Sequence, residues 1–397
     1  MIVGAGPGGG RLAAELAASG VQVLLVERLQ RLTDAAFSSA ALPLSAVKRF
    51  GIPASVVAAS WRGWHLVGPD GSPREWMAPQ PLGAVLDFGA LRRWLAAAAE
   101  AGGGRLLLGS TALACEPAGA AGLRTWLRGG DGSVTPVESS WVVDASGERR
   151  VLLGEPAAAS DPLVVGRGVE WLLEVGPGPW RAWADRLGFF LGSGWVQQGY
   201  GWVFPMARGQ LKVGVCRLEP PEGSSPSLGA DLRQLLTRTG LEDAAVLDRH
   251  GGRIRSTITR REAHGRGRLV GLGDAVSTAN LLGGEGIRHA LLSADLLAPL
   301  LIQAVRQERR GRPADASTLL RRYRRRLRRQ LGWRWNLSGR LARRTWLGLA
   351  DAEGDRRLER LLSTLEGCRA EDLSALLFEY RFERYGLKAL PYLLGRR

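Results

Sequence analysis

The stretch from Met1 to Glu27 constrains this chain more than any other. Met1-Ile2-Val3 is apolar, Gly4-Ala5-Gly6-Pro7-Gly8-Gly9 follows, then an Ala/Leu-rich run, then Val21-Gln22-Val23-Leu24-Leu25-Val26 closed by Glu27. The order is strand, glycine loop, helix, strand, acid. Gly4, Gly6 and Gly9 fill the positions of a G-x-G-x-x-G loop. The first allows a tight turn, the second lets backbone approach a pyrophosphate, and the third lets the helix pack on the strand. The helix N-terminus then aims free N–H groups at phosphate oxygens. Glu27, with Arg28 beside it, falls near the ~20-residue spacing of an acid that bonds a ribose hydroxyl. A bare glycine motif is often only a turn; the flanking strands and the closing acid make this one a dinucleotide site. Little apolar sequence precedes the loop, against about 5–6 residues in an ordinary strand. The expectation is an unusually short first strand, or a coding start upstream of Met1.

A chain of 397 residues suffices for two or three domains. No charged-then-apolar leader precedes the glycine loop, so no signal peptide is expected. The most apolar helical run, Ile287 to Val305, carries Arg288, His289 and Asp295, which suits a core helix better than a membrane span. Cys115, Cys216 and Cys368 are odd in number and far apart. They argue for a reducing, cytoplasmic setting and against a disulfide framework or structural zinc.

The net charge of +16 is concentrated. Between Arg306 and Trp346 there are fifteen Arg and no Lys against Glu308 and Asp315, which is 15 − 2 = +13 and leaves 16 − 13 = +3 for the rest. The charge therefore reads as one local surface.

Along the chain, Trp64 to Trp76 reads as a hairpin turning at Asp70-Gly71. Leu91 to Ala101 reads as helix, and Arg105–Cys115, Leu123–Arg128 and Ser140–Asp144 as strands. Val164–Val175, Trp202–Pro205 and Leu211–Leu218 follow as strands without helices between them, as in a mixed sheet. A Pro/Gly/Ser linker at 219–227 leads to a helix over Leu228–Thr239. Arg268–Asp274 reads as a further nucleotide-domain strand, followed by a long helix from about Gly286, and the rest reads as helical. The fold expected is α/β: a Rossmann-type nucleotide domain in three parts (1–60, 85–160, 256–305). A substrate domain interrupts it (hairpin 61–84, sheet 161–255), and a basic helical region, 306–397, follows.

A second site lies at Gly273-Asp274-Ala275 and Gly283-Gly284-Glu285-Gly286-Ile287. A strand delivers Asp274, whose carboxylate can accept hydrogen bonds from a polyol chain. Gly284 and Gly286 let backbone approach a flat ring, and a helix starts at Ile287, its positive end suited to a reduced flavin. The alternative is a buried Asp capping its own turn. A third motif, Gly199-Tyr200-Gly201-Trp202-Val203-Phe204-Pro205, places Tyr200, Trp202 and Phe204 on one strand face. Three aromatic faces in a row suit an isoprenoid or quinone, or else a sheet core.

The glycine loop, Asp144-Ala145-Ser146-Gly147, Gly273-Asp274-Ala275 and Gly284-Glu285-Gly286-Ile287 together resemble the FAD-dependent hydroxylase and geranylgeranyl reductase superfamily. The Gly-Tyr-x-Trp-x-Phe-Pro stretch is similar to the signature of the geranylgeranyl reductases. The resemblance covers roughly residues 1–305. It implies an FAD-dependent oxidoreductase that reduces C=C bonds of an isoprenoid lipid, with NADPH or reduced ferredoxin as electron donor. It implies FAD contacts at Gly4, Gly6, Gly9, Glu27, Arg28, Arg92, Asp274, Gly284, Gly286 and Ile287, and substrate contacts at Ser38, Tyr200, Trp202 and Phe204.

Two departures bear on the reaction. The reductases commonly carry a cysteine after the second strand; here the stretch is Phe37-Ser38-Ser39-Ala40. The family's phosphate-touching Arg before the helix at Leu91 is replaced by Asp87, leaving Arg92 or Arg93 nearby. No His sits in a motif, and Tyr200 is only a weak candidate for proton donor. Competing readings are a flavin monooxygenase of an aromatic or quinone precursor, a carotenoid-cyclase-like flavoprotein, and a non-catalytic flavoprotein docked to a membrane or acidic partner.

The segment Arg306–Trp346 is expected to be a docking surface. Leu320, Tyr323, Leu327 and Leu331 line one helix face, arginines cover the rest, and Trp333, Trp335 and Trp346 suit a bilayer interface. An anionic membrane, inner or photosynthetic, or ferredoxin fits this charge; no recognition motif supports nucleic acid. The alternative is a helix packed on the flavin domain with its arginines in solvent.

Overall fold

The computed structural model describes residues 1–397 apart from 37, 120–121, 157–162, 220–226, 259–261 and 383–397. Phe37, most of the expected linker and the end of the C-terminal region therefore lie outside the described residues. Among the described residues the helices are α1 (Pro7–Ala18), α2 (Leu44–Arg49), α3 (Phe88–Ala101), α4 (Pro177–Trp183) and α5 (Leu228–Thr239). These are followed by α6 (Ile287–Arg309), α7 (Ala316–Gly348), α8 (Ala352–Ser363) and α9 (Ala370–Glu379).

The fold is α/β, as expected. A six-stranded sheet runs in the order Gly265–Arg266, Leu269–Gly271, Val142–Asp144, Ile2–Val3, Leu24–Val26, Arg105–Leu107. The first strand of the chain is thus central: Ile2 pairs in parallel with both Val143 and Leu25. Its two residues are fully buried, so position between neighbours substitutes for length. α1 and α6 cover one face, and the core there includes Leu12, Leu16, Val143, Val270, Leu297 and Leu301.

A seven-stranded mixed sheet forms the other body: Ala245–Thr257, Leu163–Glu174, Gln210–Leu218, Gly199–Pro205, Arg186–Leu191, Gly63–Val67, Pro73–Met77. The hairpin is as read from sequence, with Trp64 opposite Trp76. It joins this sheet through a parallel pairing with Arg186–Leu191, a strand the sequence pattern did not announce. Ala245–Thr257 was also missed; its charged residues (Asp248, Arg249, Arg253, Arg255) hide the alternation. One expected strand is corrected. The run Arg105–Cys115 breaks at Gly109, whose φ of 64° no extended strand tolerates. Arg105–Leu107 stays in the six-stranded sheet, while Thr111–Ala118 joins a meander with Gly122–Arg128 and Val134–Ser139.

Two further corrections concern the basic segment. α7 is broken at Gly332 (φ 71°), and its apolar side is covered: Leu319, Tyr323 and Leu327 are in the core with α6, and Leu320 and Leu331 pack against it. Trp335 (2 % exposed) and Trp346 are buried as well, so of the three indoles only Trp333, 63 % exposed, is available to a membrane. Arg321, Arg322, Arg325, Arg326, Arg328 and Arg329 remain exposed. α6 is long and apolar enough to cross a membrane, yet most of its apolar window is buried inside the protein, as a core helix requires.

Candidate flavin and substrate site

The glycine loop is shaped by what a side chain would strike. Gly4 has φ 105°, and a Cβ there would lie 2.4 Å from the Ala145 carbonyl oxygen; a Cβ on Gly9 would lie 1.9 Å from the Gly4 oxygen. At Gly6 a Cβ meets nothing within 4 Å, so this position faces open space. Gly6 is also the N-cap of α1, Pro7 occupies the first turn, and no side chain caps it. The free first-turn N–H groups and the bare Gly6 backbone form a cradle that fits a pyrophosphate. Glu27 is buried at its edge, accepting from Ala5 N–H at 2.9 Å and Leu29 N–H at 3.1 Å. Each carboxylate oxygen keeps a second lone pair for a ribose hydroxyl.

Arg92 is buried on α3 with one nitrogen 3.9 Å from Glu27, and it donates to the Asp34 carbonyl at 3.1 Å. Burial lowers its pKa, and the Glu27 charge opposes that shift. Arg93 and Arg28 are exposed. Of the two α3 arginines it is Arg92 that lies beside Glu27, while Arg28 follows Glu27 with its side chain in solvent. Asp87, in place of the family's Arg, caps α3 by accepting from Ala90 N–H at 2.8 Å.

Asp274 sits in the turn after Leu269–Gly271 and lines a cavity of 260 Å3. Burial pushes its carboxyl up to about 6, against a hydrogen bond from the Thr278 hydroxyl. A Cβ on Gly286 would come within 3.4 Å of that carboxylate, and Gly284 requires φ 63°. The uncapped N-terminus of α6 begins beside them at Ile287. Pro7, Ser38, Asp274, Gly284, Gly286 and Ile287 line this one cavity, so the structure gathers the two glycine motifs and the Ser38 loop at one place. The pyrophosphate cradle, the buried polyol acceptor and the glycine-lined slot together fit an extended FAD.

Tyr200, Trp202 and Phe204 line the same cavity. Tyr200 and Phe204 continue into an adjoining cavity of 120 Å3 walled by Trp64, Leu66, Leu187, Leu191, Leu377 and Phe378. Neither function of the aromatic stripe excludes the other: the three side chains also belong to a buried core cluster. The Tyr200 ring packs 4.9 Å from Trp346, which joins both cavities to α7. Burial, with Cys216 adjacent, pushes the Tyr200 hydroxyl well above 10, so it holds its proton.

Behind the stripe are two charged residues the sequence reading passed over. Glu170 accepts from the Trp202 indole N–H at 2.9 Å, and Lys212 donates to the Ser38 carbonyl. Both are buried; burial raises the Glu170 pKa and lowers that of Lys212, and each charge opposes the other's shift. Glu170 fixes the indole that walls the chamber, and Lys212 ties the Ser38 loop to the sheet. The available signal was a charged residue within an otherwise apolar strand, Val169-Glu170-Trp171 and Leu211-Lys212-Val213.

Comparison with known proteins supports FAD binding. The family described as FAD binding domain matches residues 1–41. The chain is similar to the digeranylgeranylglycerophospholipid reductase of Methanosarcina mazei, 26 % identical over 318 residues, covering 77 % of this chain and 75 % of that one. It is similar to that of Haloferax volcanii at 28 % identity over 342 residues, covering 79 % and 78 %. Among solved structures, a geranylgeranyl bacteriochlorophyll reductase-like protein of Thermoplasma acidophilum aligns with a TM-score of 0.80 at 20 % identity, over 99 % of this chain and 98 % of that one. The halogenase PltM in complex with phloroglucinol and FAD aligns at 0.68 with 17 % identity, over 99 % and 85 %.

Proposed function

We propose that this FAD-dependent oxidoreductase, a geranylgeranyl-reductase-like member of the hydroxylase-type flavoprotein superfamily, reduces carbon–carbon double bonds of a polyprenyl lipid. The observation that carries the reading is the adjoining pair of cavities: an aromatic and leucine-walled space opening directly onto the Asp274–Ile287 loop. Its walls offer an alkene chain dispersion contacts and few polar partners, and they exclude water. When bound, reduced FAD would supply a hydride equivalent for one alkene carbon, and a proton drawn from water would complete the other. The chain's own residues hold the pyrophosphate (Gly4, Gly6, Gly9), a ribose hydroxyl (Glu27) and the polyol (Asp274). Tyr200, Trp202, Phe204 and Trp346 hold the chain of the substrate. NADPH or reduced ferredoxin is the electron donor in this reading. The exposed arginines of α7 hold the protein on the cytoplasmic face of an anionic membrane from which the lipid comes.

The test is anaerobic: photoreduced enzyme is mixed with geranylgeraniol or geranylgeranylglycerol phosphate, flavin reoxidation is followed, and products are weighed by mass spectrometry. Gain of two hydrogens per turnover supports the reading. Reoxidation only with oxygen, with an oxygen atom in the product, replaces it with a monooxygenase. Arg325→Gln with Arg328→Gln and Arg329→Gln should weaken binding to anionic vesicles while leaving flavin photoreduction unchanged; unchanged binding removes the membrane role.

A further inference from the structure

One buried ion pair lies outside the motifs used so far. The chain leaves strand Val142–Asp144 through a short 3-10 turn, Gly147–Arg149, and Arg150 follows with φ 49°. That left-handed conformation is uncommon for a residue with a side chain. Arg150 and Glu262 are both buried. Arg150 Nη1 pairs with Glu262 Oε2, while Nη2 donates to Glu262 Oε1 at 3.3 Å and to the Ser277 hydroxyl at 2.8 Å. Ser277 is itself left-handed, at φ 56°, and closes the turn Gly273–Val276 that carries Asp274. Its hydroxyl also accepts from the Thr257 N–H at 2.9 Å, and its own N–H donates to the Asp274 carbonyl at 3.1 Å. Just beyond, the Ser256 hydroxyl donates to the Ala279 carbonyl at 3.0 Å. A buried ion pair is a weak stabiliser compared with apolar side chains of the same volume. What this pair adds is geometry and charge at the Asp274 turn. Two charges act on the buried Asp274 carboxyl: Arg150 favours its ionised form and Glu148 opposes it. Glu148 is itself engaged by Arg255 at 2.8 Å and Arg253 at 3.4 Å.

We infer that Arg150 is a positioning residue of the flavin site: through the Ser277 hydroxyl it fixes the turn that carries Asp274, and its charge readies that carboxylate to accept from the flavin's polyol chain. The inference rests on the assignment of Asp274 to the polyol made above and is independent of which lipid is reduced. Glu262 takes both terminal nitrogens and so orients the guanidinium plane. The remaining hydrogen of Nη2 then points at Ser277, a use of the planar fork that a lysine ammonium cannot reproduce. Arg150 donates to none of the groups that hold the pyrophosphate and ribose at Gly4–Gly9 and Glu27. A ligand that lacks the polyol chain should therefore not sense it.

The experiment titrates the flavin-free protein with FAD and, separately, with ADP, which offers the pyrophosphate and ribose without the polyol. The principal variant is Arg150→Met with Glu262→Met, which leaves neither charge buried alone. It should raise the FAD dissociation constant at least roughly tenfold, equivalent to about 1.4 kcal/mol, with ADP binding unchanged. Arg150→Lys and Ser277→Ala should each raise it roughly threefold, and they carry the same FAD-against-ADP comparison if the double variant does not fold. Arg149→Met, on the exposed neighbour, should match wild type. In an Asp274→Ala background the double variant should cause little further loss, because its effect passes through that carboxylate. A second measurement reads the charge. The melting temperature of each flavin-free protein is compared with that of its Asp274→Asn counterpart across pH. Removing Arg150 removes the cation that favours ionised Asp274, so the window in which this difference changes should move to higher pH. A merely structural pair would lower the melting temperature and leave the window where it is. Equal weakening of ADP and FAD, additive loss in the Asp274→Ala background, or an unmoved window each overturns the inference. If Asp274→Ala binds FAD as tightly as wild type, the assignment of Asp274 to the polyol fails and the inference with it. If Asp274→Ala binds weakly while the double variant binds as wild type does, the inference alone fails.

Discussion

The glycine loop at Gly4–Gly9 and the aromatic strand at Gly199–Pro205 meet at one cavity but are built on opposite principles. In the first, the site is backbone, and its shape is set by side chains that must be absent: Gly4 and Gly9 have no room for a Cβ, and Gly6 leaves space in front of it. In the second, the site is side chains, and the backbone is an ordinary antiparallel strand between Arg186–Leu191 and Gln210–Leu218. A backbone site admits no substitute residue. A side-chain site admits many, and its role depends on what stands behind and across from it.

The largest effect should come from the loop. Gly6→Val places a branched side chain where the pyrophosphate needs bare backbone. Flavin content of the purified protein should fall at least roughly tenfold, equivalent to about 1.4 kcal/mol, with the far-ultraviolet circular dichroism unchanged. Wild-type flavin content in this variant would break the backbone reading of the site. Gly9→Ala, whose Cβ meets the Gly4 oxygen, should instead lower both flavin content and thermal stability.

The strand should respond differently. Trp202→Phe keeps an aromatic wall but leaves buried Glu170 without the indole N–H, at a cost of about 1–3 kcal/mol. Flavin content should stay normal while KM for a prenyl substrate rises. Glu170→Gln with Trp202 in place, which can still accept from the indole, should keep more of the stability than Trp202→Phe does. If Trp202→Phe loses flavin, the strand belongs to the cofactor site and the contrast with the loop disappears.

These two regions also show why one was legible in the sequence and the other only half so. Gly4, Gly6 and Gly9 stand close together in the chain, and Glu27 falls at a spacing fixed by one strand–helix–strand unit. The aromatic stripe was legible as a face, because alternation is local. Its opposite wall was not: Trp64, Trp346 and Phe378 are contributed by elements far away in sequence. Trp346 reads from its neighbours as an interface residue, since the arginines around it dominate the local composition; its indole in fact donates to the Leu281 carbonyl at 3.1 Å inside the chamber wall. The same composition masks α7 as a surface helix, although Tyr323 and Leu327 are fully buried.

A smaller effect sharpens the cofactor side of the comparison through pH. In the flavin-free protein the Asp274 pKa is raised to about 6 from 3.8 by burial. A carboxyl whose folded pKa exceeds its unfolded value binds more protons when folded, so its contribution is fully present below the unfolded pKa and is lost as pH rises through about 6. Asp274→Asn, which does not titrate, should gain stability relative to wild type as pH rises across that window. Melting temperatures of the two flavin-free proteins, compared at acidic and neutral pH, measure it. A constant difference would place Asp274 in contact with solvent or a cation and weaken its assignment as the buried polyol acceptor.

The smallest effect concerns the loop that joins the two regions. Lys212 reaches from the sheet to the Ser38 carbonyl, so the tie uses backbone and not the serine hydroxyl. Among the described residues, that hydroxyl accepts from Ala40 N–H at 3.2 Å. Ser38→Ala should therefore cost no more than about 0.5–1.5 kcal/mol and leave flavin content and prenyl binding unchanged. Lys212→Met removes the tie itself and should loosen the loop, raising KM with flavin content preserved. Single-turnover reoxidation of the reduced enzyme by a prenyl substrate separates the two roles of Ser38. If Ser38→Ala binds substrate normally but slows reoxidation by more than about tenfold, equivalent to 1.4 kcal/mol, the hydroxyl delivers the proton, and the site depends on a side chain at the point where its backbone seemed sufficient.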